Sequence, residues 1–509
     1  MIGRWARTVL RLHPLQIALR PPRAVAARVI RGVPAAGGPR VRRSFAPAHE
    51  ATRAFARAER ARGEERLAHL TGRLRDYEAV YGLEAGDAAD GVIAPAWRTR
   101  TAIEPYPAAV RARRLAVAAR LGRPGLDGEI ARACRAVAMQ LELHLLGNHL
   151  LEDAIGLVAG GAACEGAEAD AWLALGSAIL AWQLPEQFLA DGGHFERSAS
   201  YHLLLTGGLL EAIELASAAG RRVPRAWTDT AERAVAWAAR VRAPDGTYPL
   251  FNDAALDSAP SIDDVAALAE LCNLHACTTH PSNGAAGAPR LTSLPDTGWV
   301  IVRAGDAWLA LDAGPDGAAY QPGHVHADAL TFELWIGGAR AVVDYGVSSY
   351  ATDAARDETR ATRSHNTLEV AGADASEVWA AFRTGRSARA RVVDAEAGGG
   401  AAFVVAKHDG YRALPGAPEV TRRIDLRPGR LAIADVARGG DHDVCSRVRV
   451  DAEALERAGA AGPLRVEAAP SPASRKGGVW YPRHARPRPA VVFEQRGRTG
   501  EALTWTLTW

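Results

Sequence analysis

The spacing of apolar residues changes once along this chain, and that change divides what it can fold into. From about residue 50 to residue 280, apolar side chains return every three or four positions in segments rich in alanine, leucine and arginine, as in Leu141-Glu142-Leu143-His144-Leu145-Leu146, Ala171-Trp172-Leu173-Ala174-Leu175 and Leu203 to Leu215. That period lines one face of a helix. The breaks at Leu184-Pro185-Glu186, Asp191-Gly192-Gly193 and Ala243-Pro244-Asp245-Gly246 are short, so neighbouring helices are expected to run antiparallel. Past Asn283-Gly284-Ala285-Ala286-Gly287 the pattern becomes short apolar or alternating runs bounded by glycine, proline and aspartate, among them Trp299 to Arg303, Ala307 to Leu311, Leu330 to Ile336, Thr367 to Val370 and Leu431 to Ile433. Such runs predict an antiparallel β domain built as a sandwich of two sheets. Strand signals thin out over 453–476, which reads as a loop, and resume at Val479 to Pro482 and Leu503 to Leu507. The first 45 residues are basic and punctuated by proline, and read as an arm packed on one of the domains. The fold class is therefore α+β multidomain: an arm over 1–45, a helical domain over 46–287 and a β-sandwich over 288–509.

Composition excludes several functions. The chain has 509 residues, 48% of them hydrophobic, enough for two to four cores of usual size. A net charge of +3 is too small to imply nucleic acid, and no nucleic-acid partner is expected. The basic residues are almost all arginine, with only Lys407 and Lys476 as lysines. That bias reads first as base-composition pressure, although the guanidinium fork also suits carboxylate and sulfate groups. Cys134, Cys164, Cys272, Cys277 and Cys445 are scattered, with no C-x-x-C pair, and read as reduced and buried. The N-terminus is basic, but Arg11, His13, Pro14 and Arg20 interrupt any apolar stretch that would make a signal peptide. No transmembrane span is expected, and a cytoplasmic location follows, with the periplasm as the alternative.

Gly323-His324-Val325-His326-Ala327-Asp328 sets three metal- or proton-capable side chains at every second position before an apolar run. In a strand all three share a face. Asp344 ends another β-rich run, and His365 opens a third. Neighbouring strands would then offer His326, Asp344 and His365 to one point, a ligand set suited to zinc with a water or a further ligand completing the tetrahedron. The plainer reading of each histidine is a surface or satisfied core residue.

In the helical half, Gly147-Asn148-His149-Leu150-Leu151-Glu152 places Asn148 and Glu152 on one helix face and lets Glu152 hold His149 in one tautomer. The alternative is a helix start, with Asn148 as cap and Glu152 solvated. Asp191-Gly192-Gly193-His194-Phe195-Glu196-Arg197-Ser198-Ala199-Ser200-Tyr201-His202 is denser in polar chemistry than a helix connection needs. Ser198 reads as an N-cap, which puts Tyr201 in the first turn, where the helix dipole and Arg197 would favour a tyrosinate. Otherwise Tyr201 is a phenol packed at a helix end. Trp172, Trp182, Trp227 and Trp237 read as core rather than as sugar platforms. Asn252-Asp253 either points into the same cleft or only turns the chain.

Taken together, these blocks resemble the heparinase II/III-like polysaccharide lyase family. The carriers are the segments 147–152, 191–202 and 323–328 just quoted and Arg360-Ala361-Thr362-Arg363-Ser364-His365-Asn366-Thr367, four in order. The resemblance implies an incomplete (α/α) toroid followed by an antiparallel β-sandwich, and cleavage of a uronic-acid-containing polysaccharide or oligosaccharide by β-elimination. That reaction removes the C5 proton beside an ionised carboxylate, so the enzyme must neutralise the carboxylate, supply a base and protonate the departing O4. By resemblance Asn148 neutralises, with His149 beside it, while Tyr201 and His324 or His149 share the base and acid roles. Tyr350 is a further catalytic candidate, and Glu152, Glu196, Arg197 and His202 are expected to line the substrate site. The family also implies a structural zinc on His326, Asp344 and His365.

Two other classes fit the same scaffold. One is a non-catalytic carbohydrate-binding or polysaccharide-assembly protein. The other is a glycoside hydrolase, for which Glu152 with Glu196 is the best carboxylate pair the sequence offers.

Overall fold

A computed structural model of the chain describes residues 2–19, 38–42, 45, 48, 50–67, 104–274, 288–457 and 462–509. The boundary expected at 283–287 lies outside the described residues, as does Cys277. The alanine-rich half forms the helices Pro105–Arg120, Asp127–Ala138, Gly147–Ala163, Ala167–Gln187, Ala199–Ala218, Arg225–Val241 and Ile262–Leu271. Small side chains let them approach closely. A Cβ on Gly156 would meet Ala109 O at 2.5 Å, and one on Gly176 would meet Ala154 O at 2.7 Å. The break expected at Pro185 does not occur, because the helix Ala167–Gln187 carries this proline in its last turn. No described helix is long and apolar enough to cross a membrane.

Among the described residues, the second half forms two large antiparallel sheets and one two-stranded hairpin. The larger runs in the order Ser474–Arg483, Arg486–Arg498, Asp443–Asp451, Ala339–Val342, Phe332–Ile336, Ala307–Asp312, Trp299–Ala304 and Arg290–Leu294, with Leu368–Val370 also paired to Asp443–Asp451. The smaller runs Ala390–Gly398, Ala401–His408, Glu419–Arg427, Arg430–Arg438, Ala502–Thr508 and Arg465–Ala469. The large sheet is a middle layer. Trp299, Ile301, Trp308 and Trp335 on one face join the core of the helices, while Val300, Val302, Leu309 and Leu334 on the other join Val404, Ile424, Ile433 and Trp505 of the small sheet. Burial on both faces is why its central strands read as unbroken apolar runs, whereas Ala401–His408 and Arg430–Arg438 alternate buried and half-exposed positions. The stretch 453–476, expected as a loop, contains the short helix Ala454–Arg457 and the edge strand Arg465–Ala469.

The N-terminal segment packs on both halves rather than on one. Arg7 of the helix Ile2–Arg11 pairs with Glu377, and Trp5 meets Trp379 edge-on at 5.2 Å. Arg11 donates to Gly385 O at 2.8 Å. On the helical side, buried Gln16 donates to Leu145 O at 2.7 Å. The segment thereby braces the hairpin Val378–Trp379 and Arg383–Thr384, whose tip carries Phe382.

Candidate active site and metal pocket

The block 323–328 is not a strand; the strand begins at Phe332. It is a loop pinned by its backbone. Arg360 donates to Val325 O, Thr362 to Ala327 O, and His326 N–H donates to the Asn252 side chain. Asp344 likewise follows a strand end, and His365 follows the turn Thr362–Ser364. The expectation of three converging strands is thus corrected to three converging loops, whose backbone is free to aim side chains that a pleated strand would space evenly.

Both His324 and His326 converge on Asp253. His324 Nδ1 lies 2.9 Å from Asp253 Oδ2, and His326 Nε2 lies 2.8 Å from Oδ1. Arg356, fully buried, clamps the same two oxygens with its two terminal nitrogens. Burial alone would raise the Asp253 carboxyl, but Arg356 and the two imidazole hydrogen bonds outweigh it and hold the group well below the usual carboxylate range. An ionised carboxylate only accepts, so each ring donates to it. In its neutral form His324 therefore keeps Nε2 as its acceptor nitrogen, and His326 keeps Nδ1.

The His324 ring lies against Tyr201, with centroids 3.9 Å apart. Tyr201 stands in the first turn of its helix as expected, but not as a tyrosinate. Burial, then the neighbouring Tyr350 hydroxyl and the Asp253 charge, push its phenol well above the ordinary value. Arg197 gives it no help. Its guanidinium turns away to the carbonyls of Thr297, Phe195, Gly317 and Asp296. Tyr350 shares a hydrogen bond with Tyr201 and stacks on His484, with Arg356 over its ring at 5.1 Å.

On the facing side, Glu196 reaches across. Its Oε1 accepts the Asn148 backbone N–H at 3.0 Å, and its Oε2 lies 3.7 Å from His324 Nε2. Glu196, not Asn148, therefore satisfies the start of the helix Gly147–Ala163, a favourable place for a carboxylate. This frees the Asn148 amide, whose buried Oδ1 has no partner. His149 is held at Nδ1 by Glu142 at 2.8 Å and rests on Tyr106. The expected partner, Glu152, is elsewhere. It is fully buried and paired with Arg113 at 2.8 Å.

Asn148, His149, Tyr201, His324 and Tyr350 are thus brought together with Glu196, while Glu152, Arg197 and His202 are not. His202 is a core histidine, hydrogen-bonded to Ala234 O at 3.0 Å and lowered by burial to about 4. Each of these three, expected at the substrate site, is instead buried and already held by partners within the fold. Sequence reasoning missed Glu142 and Arg356 as holders of the site and left Asp253 undecided; the polar pair Asn252-Asp253 was its one visible signal.

Behind His324 lies a second cluster. His365 gives Nδ1 to both oxygens of Asp344 at 3.0 Å, so its Nε2 is bare, and this nitrogen and the bare Nδ1 of His326 are both buried without a partner. His326, Asp328 and His365 bring ligand atoms within 4.8 Å of one another. Two orphaned imidazole nitrogens beside a carboxylate fit a borderline-soft divalent ion. Asp328, rather than the expected Asp344, is the carboxylate whose ligand atom lies within 4.8 Å of those of His326 and His365, and Asp344 accepts from His365 Nδ1 instead.

Residues 136–271 match the family model for the heparinase II/III N-terminus, and residues 286–505 match that for the heparinase II/III-like C-terminal domain. A heparin-sulfate lyase of Bacteroides stercoris is 30% identical over 247 residues, 44% of this chain and 35% of the relative. A second, from Pedobacter heparinus, is 30% identical over 244 residues, 44% of this chain and 36% of the relative. The matches thus span about a third of the length of these curated relatives. A crystal structure of heparinase III superposes with a TM-score of 0.66 at 16% identity, covering 85% of this chain and 75% of the other. A heparan sulfate lyase of Pedobacter heparinus gives 0.54 at 19% identity, covering 90% and 75%. These structures share the arrangement of helices followed by antiparallel sheets.

Proposed function

Since the chain belongs to the heparinase II/III-like family, we propose that it is a polysaccharide lyase cleaving a uronic-acid-containing polysaccharide or oligosaccharide by β-elimination. The helical half is read as an incomplete (α/α) toroid over 46–287 and the β half as a sandwich over 288–509. The observation that carries the activity is His324 stacked on Tyr201, with the unpartnered amide of Asn148 beyond Glu196. Each part has a task in elimination. The Asn148 amide donates through Nδ2–H to the uronate carboxyl and stabilises the charge that grows on it as C5 loses its proton. His324 Nε2, bare and aimed into the site, accepts a proton; Tyr201, kept neutral by burial, donates one to O4, with Tyr350 hydrogen-bonded behind it. His149, oriented by Glu142, supports the carboxylate side.

We read the second cluster as a structural zinc site on His326, Asp328 and His365. A bound ion there would tie the three loops together and would not activate water. The hydrolase reading loses its carboxylate pair, because Glu152 is sealed against Arg113.

The relatives' names make a heparin-sulfate-type polymer the first to try, beside alginate, hyaluronan-type and capsular polymers. Elimination leaves a C4=C5 double bond, so one member of that panel should gain ultraviolet absorbance. New reducing ends without absorbance would mean hydrolysis, and an intact, bound polymer would mean a binding protein.

A further inference from the structure

Asp253 is the only described carboxylate that touches both clusters. One oxygen receives His324 Nδ1–H at 2.9 Å and the other His326 Nε2–H at 2.8 Å, while Arg356 fills the remaining acceptor positions and also donates Nε–H to Ala381 O at 2.8 Å. The residue cannot drift. Its backbone N–H donates to His324 O at 3.2 Å, and its carbonyl accepts Ser198 Oγ–H at 2.8 Å, three residues before Tyr201. It is fully buried, so water does not compete for its oxygens.

We propose that Asp253 is a positioning residue that fixes the tautomers of two imidazoles at once, so that the proton-accepting nitrogen of His324 and the ligand nitrogen of His326 depend on one carboxylate. The argument is one of donor and acceptor counting. A carboxylate offers two acceptor oxygens and no donor. Both rings must therefore donate to it, and in its neutral form each leaves its far nitrogen bare, His324 toward Glu196 and Tyr201, His326 toward His365 and Asp328. Arg356 enforces the arrangement by occupying the same oxygens as a cation and by lying 5.1 Å from the Tyr350 ring. The kinetic part rests on the lyase reading; the tautomer and metal parts do not.

The substitution that isolates this role is Asp253→Asn, of equal size. A carboxamide accepts at one arm and donates at the other, so the two rings can no longer both donate. One of them must turn its bare nitrogen inward and place N–H where the wild type presents a lone pair. The expected result is a change of tautomer at His324 or His326 in spectra of protein carrying 15N-labelled histidine. A loss of about 10- to 100-fold should accompany it, in kcat with KM little changed if His324 inverts, or in zinc affinity by chelator competition if His326 does. Because Asp253→Asn leaves Arg356 buried without a counter-ion, the double variant Asp253→Asn, Arg356→Gln is measured alongside it. The wild type gives an answer before any variant does. His324 found as the Nε2–H tautomer overturns the proposal, and so does a folded Asp253→Asn or double variant with both tautomers, zinc affinity and kcat within about twofold of wild type. A wild type that orders both tautomers as described yet yields no unsaturated product on any polymer sinks the lyase reading and leaves the shared carboxylate standing.

Discussion

The Tyr201 and His324 rings lie 3.9 Å apart, one from the first turn of a helix and the other from a loop that leads into the large sheet. Neither half of the chain holds the pair alone, so their register depends on how the halves are stitched, through Arg197 to Thr297 O and through Asp253 to His324.

Tyr201→Phe keeps the ring contact and removes only the hydroxyl that hydrogen-bonds to Tyr350. Turnover should fall about a hundred- to ten-thousand-fold, the usual worth of a positioned acid or base, with thermal stability changed little. Steady-state rates beside a melting curve check both halves of that statement.

Asn148→Ala should act on the chemical step. Its amide has no structural duty, since Glu196 satisfies the helix start, so the variant should fold normally and lose kcat rather than raise KM. A substrate with its uronate carboxyl reduced should show no further loss on the variant.

His365→Ala removes one of two bare imidazole nitrogens and leaves buried Asp344 without its imidazole donor, held among the described residues only by Thr331 and Gly346. Metal content by elemental analysis should fall from about one ion per chain, and the melting temperature should drop more than the activity of whatever remains folded, because binding free energy at a structural site is folding free energy.

Removal of residues 2–19 should loosen the hairpin that carries Phe382, since Arg7, Thr8 and Arg11 hold its strands and flank. Phe382 lies 6.0 Å from the His324 ring and is half-exposed. Hydrogen exchange should accelerate over 377–387, and KM should rise more than kcat falls.

His408 supplies a pH test independent of catalysis. Burial lowers it to about 4 from an ordinary 6.5. Between those values the unfolded chain takes up a proton that the folded chain refuses, so its contribution is complete above pH 6.5 and is lost as pH falls toward 4. Glu333 and Asp316, both raised by burial to about 7, work in the opposite direction, so the whole-protein curve hides the effect. The comparison of wild type with His408→Gln isolates it. The stability difference should shift against the wild type by up to about 3 kcal/mol on going from pH 7 to 4.5.

What the sequence revealed follows from what local pattern encodes. The change of period separates helices from sheets because burial on one face or two leaves its mark on neighbouring residues, as in Trp299–Ala304 against Arg430–Arg438. The cluster of Asn148, His149, Tyr201 and His324 was legible because its blocks carry more polar chemistry than their elements require. Long-range pairing leaves no such mark. Glu152 and Arg197 look like site residues until Arg113 and four backbone carbonyls claim them. For the same reason Glu142 and Arg356 stayed invisible, as nothing near them in the chain names His149 or Asp253 as a partner.

The central claim, elimination at a uronate, is tested most directly by weighing products. A defined uronate-containing oligosaccharide that the wild type cleaves should yield fragments whose masses sum to that of the starting sugar, with one fragment carrying the C4=C5 double bond, and Tyr201→Phe should yield them far more slowly. Fragments whose masses exceed the starting sugar by one water would show hydrolysis and contradict the account.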